Sequence, residues 1–152
     1  NIINQFQLKR SSCVVSFYDF LPNDLLREKM NNYDLLVLPS RHDGWGAVIN
    51  ESLMEGTPVV VSSKCGSSSL ISSPQFGAVL NKLHHDDLYA LLCLQYQKGK
   101  LKRSQRIDNR LLAKINTSGE SMACYFSEVI NYSGGKLKPL PPFVSNASSL
   151  NI

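Results

Sequence analysis

The chain has 152 residues, 43% hydrophobic and 18% charged, with 16 Lys and Arg against 12 Asp and Glu. That composition belongs to one globular domain with its own core and excludes a disordered or low-complexity chain. The net charge of +4 suits a phosphate-bearing ligand without demanding nucleic acid; no apolar run reaches membrane-spanning length, and Asn1-Ile2-Ile3-Asn4 lacks the basic start and apolar core of a signal peptide.

In chain order, residues 2–10 read as the end of a helix and Cys13-Val14-Val15-Ser16-Phe17 as a short buried strand. Pro22-Asn23-Asp24 opens a helix to about Asn32, with Leu25, Leu26 and Met30 at helical spacing. Leu35 to Leu38 is the next strand, ended by Pro39. A helix from about Gly46 to Glu55 follows and stops at Gly56. Pro58 to Ser62 is a third strand, Ser67 to Ile71 a short helix, and Gly77 to Leu80 a fourth, weaker strand. Asp86 to Gln97 is helical, with Leu88, Leu91, Leu92 and Gln95 marking the period. A basic helix covers about Leu101 to Lys114, and another covers about Ser118 to Ile130 with Ser118 as its N-cap. From Ser133 the composition turns to Gly, Pro, Ser and Asn, so residues 1–132 form the domain and 133–152 a tail.

Strands that are continuously apolar and alternate with helices predict an α/β fold, a Rossmann-like parallel sheet flanked by helices. Such sheets bind ligands outside the carboxyl ends of their strands. Cys13, Cys65, Cys93 and Cys124 are widely spaced and form no Cys-x-x-Cys pair, which fits free thiols in a reducing, cytoplasmic compartment.

The segment after Leu38 concentrates the chemistry. Asp43 and Glu51 stand eight positions apart, with Gly44-Trp45-Gly46 between them and Ala47 opening the helix. The glycines let backbone N–H groups approach a ligand, and a helix N-terminus favours phosphate. Eight residues at helical rise span roughly 12 Å, about a sugar diphosphate joined to a ribose. On spacing alone, Asp43 as a mere helix cap and Glu51 as a solvated carboxylate explain the pattern equally well. Trp45 either stacks on a ligand or packs the helix onto the sheet, and His42 either lines the pocket or lies on the surface.

Other features carry less. His84-His85-Asp86-Asp87 reads as a solvated loop opening a helix rather than a metal site. The basic run from Lys98 to Arg110 reads as a solvated helix face, with contact to an anionic membrane surface as the alternative. No aromatic residue interleaves its bases, which argues against nucleic acid. No Gly-x-Gly-x-x-Gly turn follows a strand, which disfavours a dinucleotide-dependent oxidoreductase.

Several motifs occur together: Leu38-Pro39-Ser40, Asp43, Gly44-Trp45-Gly46, Glu51, Gly56-Thr57-Pro58-Val59, Cys65-Gly66-Ser67 through Leu70-Ile71, and Ser118-Gly119-Glu120-Ser121 through Tyr125-Phe126. In this order they resemble the C-terminal, nucleotide-sugar-binding half of retaining family 4 glycosyltransferases with the GT-B fold, over most of residues 13–132. Two positions depart from the family pattern. Asp43 stands where Glu is usual, and Asp19 where Gly is usual near the nucleotide base.

The resemblance implies a hexosyltransferase that moves a sugar from a UDP- or GDP-linked nucleotide-sugar to a glycan or lipid-linked acceptor, in cell-surface polysaccharide synthesis. It implies no metal or other cofactor. Asp43 would be the catalytic acid beside the transferred sugar. Gly44, Trp45, Gly46 and Ala47 would form the substrate-binding turn, and Glu51 would hold the ribose hydroxyls. The diphosphate-binding cations and the acceptor domain are expected upstream of residue 1, so this chain alone is expected to be inactive. The location implied is cytoplasmic, with peripheral contact at the inner face of the membrane. The alternative is a non-catalytic GT-B-like binding or partner module.

Overall fold

A computed structural model describes residues 16–135 and 138–145. The helix expected at 2–10 and residues 13–15 of the strand expected at Cys13–Phe17 lie outside them, while Ser16 and Phe17 are irregular and exposed. The elements are α1 (Asn23–Asn32), β1 (Leu36–Leu38), α2 (Ala47–Met54), β2 (Val59–Ser62), a 3-10 helix (Gly66–Leu70), β3 (Gly77–Leu80), α3 (His85–Lys98), α4 (Arg103–Thr117), α5 (Gly119–Ile130) and α6 (Pro142–Ser145).

The three strands form one parallel sheet in the order β1-β2-β3. Leu36 pairs with Val59 and Leu38 with Val61; Val59 in turn pairs with Gly77 and Ser62 with Leu80. All four residues of β2 are buried, as its unbroken Val-Val-Val run requires of a central strand. Strand β1 lies at an edge and is half-buried.

The core gathers Ile49 and Leu53 of α2, Val59 and Val61 of β2, Leu70, Phe76 and Ala113 of α4. Helix α2 places Ile49 and Leu53 one turn apart, so one face is buried against the sheet. Buried hydroxyls close the next turn: Ser52 Oγ donates to Thr57 O at 3.1 Å, and Thr57 Oγ1 donates to Met30 O at 2.6 Å. The short helix at Gly66–Leu70 is 3-10 rather than α, in keeping with a run of serines whose hydroxyls compete for backbone groups; Ser69 Oγ donates to Gly66 O at 3.1 Å. Ser118 caps α5 as expected, its hydroxyl accepting from Ser121 N at 3.2 Å. In the segment after Ser133, Phe143 of α6 packs back against the core.

The basic helix is not simply a solvated face. Arg106 turns inward, with only 15% of its side chain exposed. Its Nη1 donates to Asn31 O at 2.7 Å and to Thr57 Oγ1 at 3.3 Å, and its Nη2 donates to Tyr33 O and, at 3.4 Å, to Asp34 Oδ1. One guanidinium therefore closes the carbonyl end of α1 and ties α4 to the turn after α2. Arg110 Nη2 similarly donates to Asn31 Oδ1 and Glu55 O, both at 3.0 Å.

Replacing Arg106 by Met keeps the aliphatic stem but leaves those carbonyls without their donor. The expected loss is about 2–4 kcal/mol of stability, read as a lower urea midpoint with an unchanged slope. A midpoint equal to that of the parent chain would show that the bonds contribute nothing.

Candidate functional site

The turn after β1 is built by two loops running side by side. Asp43 forms a parallel bridge with Cys65 beyond the ends of β1 and β2. Its N–H donates to Lys64 O at 3.2 Å, and Gly66 N donates back to Asp43 O at 3.4 Å. Ser67 N then donates to Trp45 O at 2.8 Å, and the buried Ser67 Oγ donates to Gly46 O at 3.3 Å. The loop after β2 thus fixes the whole Asp43–Gly46 turn through its main chain. This pairing is at the carboxyl ends of the strands, where parallel sheets hold ligands.

Within the turn, Asp43 Oδ1 accepts from Trp45 N at 3.2 Å. That is an Asx turn ahead of the helix, not a helix cap. The N-cap of α2 is Gly46, which has φ +75° and no side-chain cap bond. The first-turn N–H groups of α2 are therefore not capped by a side chain, and the positive end of the helix dipole lies there. A Cβ at Gly46 would stand 3.0 Å from Ser67 Oγ and 3.3 Å from Leu38 Cδ2, so both conformation and space require glycine. A Cβ at Gly44, by contrast, would meet nothing within 4 Å, so the turn is open at that point.

Trp45 lies against the loop after β2. Its ring lies beside Gly66, where a Cβ would come 3.3 Å from Cε3, and 48% of the residue stays exposed. Ala47 is the first residue of α2, and Glu51 lies one turn further on, half-buried. Arg27 is held protonated above its ordinary range first by its bond to Glu55, at 2.6 Å from Nη2, and only weakly by the charge of Glu51. His42 is exposed and flanks the turn, as is Arg41.

Cys65-Gly66-Ser67 stood out in the sequence only as part of the family motif, and Lys64 not at all, because the pairing of the two loops joins positions more than twenty residues apart. The serines and glycine after β2 were the available signal. Burial pushes the Cys65 thiol up, and the nearby Asp43 carboxylate adds to it. Cys65, Cys93 and Cys124 are all free; Cys13 lies outside the described residues.

His84, His85 and Asp86 bring ligand-type atoms within 4.8 Å of one another, all exposed. Their evident job is local. His84 Nδ1 accepts from Asp86 N at 3.4 Å and caps α3, and a helix N-terminus is electrostatically unfavourable for a cation. Among the described residues, no helix is long and apolar enough to cross a membrane.

A three-stranded parallel sheet, helices around it and a glycine turn leading into a helix at its carboxyl edge define an α/β domain of the Rossmann-like class. The family comparison is more specific. The model described as "Family 4 Glycosyltransferase in conflict systems" matches residues 5–106, and the chain belongs to that family. No curated protein and no solved structure matches the chain.

Proposed function

We propose that this domain is the donor-binding part of a retaining glycosyltransferase that takes its sugar from a nucleotide-sugar, and that it forms the C-terminal half of a GT-B enzyme. The observation that carries the reading is the Asp43–Gly46 turn, held by the Lys64–Ser67 loop against the uncapped N-terminus of α2.

The roles follow from the chemistry. The N–H groups at Gly46 and Ala47, with the dipole of α2, receive the diphosphate. Asp43 touches the transferred sugar, and Glu51 accepts from the ribose hydroxyls. Gly44, open on its ligand side, lets the sugar come close to the backbone. Trp45 offers a half-exposed ring to the sugar or base. Positive potential from the N-terminus of α2 stabilises the leaving diphosphate. The acceptor, a glycan or a lipid-linked saccharide, approaches from a second domain. Cell-surface polysaccharide synthesis remains part of the proposal; the family description instead names conflict systems.

Calorimetry of the chain with UDP, GDP and their sugars tests the donor role. Saturable heat with one nucleotide, weakened about tenfold or more by Glu51→Ala, is the expected outcome. No heat with any of them would favour a non-catalytic binding or partner module built on the same fold.

A further inference from the structure

We infer that Ser67, on the loop after β2, is a positioning residue for the diphosphate of the donor, its buried hydroxyl setting the direction of the Ala47 N–H at the start of α2. The inference rests on the donor reading proposed above.

A trans peptide group is planar, with its C=O and its N–H on opposite edges. Holding the carbonyl therefore sets the direction of the N–H in the same group. The loop after β2 holds three carbonyls of the turn. Gly66 N donates to Asp43 O at 3.4 Å, Ser67 N to Trp45 O at 2.8 Å, and Ser67 Oγ to Gly46 O at 3.3 Å. The N–H groups of Gly44, Gly46 and Ala47 belong to those three peptide groups, so they face away from the loop. None of the three donates to another group among the described residues, whereas the N–H of Trp45 is taken by Asp43 Oδ1. Outward N–H groups gathered in a turn suit an anion, and here they coincide with the positive end of α2.

Two of the three carbonyls are held by Ser67, one through its main chain and one through its side chain. The neighbouring Ser69 turns its hydroxyl back to its own loop, on Gly66 O, while Ser67 reaches across to the turn. Ser67 is fully buried, so water does not compete for that bond. The contact depends on glycine at 46, since a Cβ there would stand 3.0 Å from Ser67 Oγ. It is not what keeps Gly46 O satisfied. That oxygen also accepts from Ile49 N at 2.9 Å. Ser67→Ala therefore orphans no carbonyl and adds no atom, and the domain is expected to fold with the Gly46–Ala47 peptide group held less firmly.

The test is an NMR titration of the full chain, labelled with nitrogen-15, with UDP and with GDP. In the parent chain, one nucleotide is expected to bind and to shift the Gly46 and Ala47 amides. Ser67→Ala should weaken that binding about three- to tenfold, the worth of one hydrogen bond, and should reduce the Ala47 shift at saturation. Glu51→Ala, which acts at the ribose in the donor reading, should weaken binding but leave the saturated Ala47 shift as in the parent. A parent chain that binds neither nucleotide would overturn the donor reading and the role of Ser67 with it. Binding that leaves the Gly46 and Ala47 amides unmoved would overturn the role of Ser67 alone. So would parent affinity or a parent Ala47 shift in Ser67→Ala, an equal loss of that shift in Glu51→Ala, or a Ser67→Ala chain whose spectrum shows that it no longer folds.

Discussion

Gly77→Ala is expected to abolish the cooperative fold. Gly77 begins β3 with φ +125°, and its register partner is Val59 in the buried central strand. A Cβ built there would sit 1.7 Å from Val59 O and 2.7 Å from Val59 C and N. The obstruction is main chain, not the mobile end of a side chain, so no rotamer change relieves it. The strands would have to separate, and the bond from Val59 N to Phe76 O, 2.9 Å long, would go with them. Phe76 and Val59 are both in the core, so the damage spreads to the best-packed part of the molecule. A cost above about 4 kcal/mol is expected, against a total of about 5–15 kcal/mol for an ordinary domain. Gly99→Ala separates the two causes. Gly99 also has positive φ, +72°, but a Cβ there meets nothing within 4 Å. Its variant should lose only the conformational term, about 1–3 kcal/mol. Thermal melts followed by far-ultraviolet circular dichroism give both values. A Gly77→Ala melt as steep and as high as that of Gly99→Ala would show that β2 and β3 are not packed as described.

Much of this architecture was legible in local pattern. The runs Leu35–Leu38 and Pro58–Ser62 are apolar, short and bounded by Pro or Ser, and they became β1 and β2 with boundaries shifted by one residue. Gly56, with φ +77°, ends the α2 turn as a glycine after a helical period predicts. The nearby acids and glycines of the turn were also visible, because their spacing is a property of one short segment.

What stayed hidden depends on pairs far apart in sequence. Arg106 looked like one base among six, yet its partners Asn31 and Tyr33 lie more than seventy positions away. Charge counting cannot distinguish a solvated guanidinium from one that closes another helix. The need for glycine at 77 arises from the backbone of Val59, and the bracing of Asp43 from Lys64, Gly66 and Ser67. Asp43 itself was open to reading as a helix cap until its bond to Trp45 N placed it ahead of α2.

Asp43 and Glu51 should fail in different ways when replaced, and that difference is the sharpest test of the proposed reaction. In the full-length enzyme proposed above, Asp43→Ala is expected to lower kcat by about 10²–10⁴-fold, the range for removing a group that acts at the reacting centre. In the proposed reading Glu51 binds the ribose, remote from the bond that breaks. Its loss should raise the donor KM with a much smaller change in kcat, the pattern of lost ground-state binding. Asp43→Asn refines the first result. The amide oxygen can still accept from Trp45 N, so the Asx turn survives and only the charge is removed. A kcat as low as that of Asp43→Ala would mean that the negative charge acts on the sugar. Recovery toward the parent rate would mean that the side chain chiefly holds the turn. Full activity in Asp43→Ala would remove this residue from catalysis, leaving the Gly44–Ala47 turn and α2 as a phosphate cradle alone.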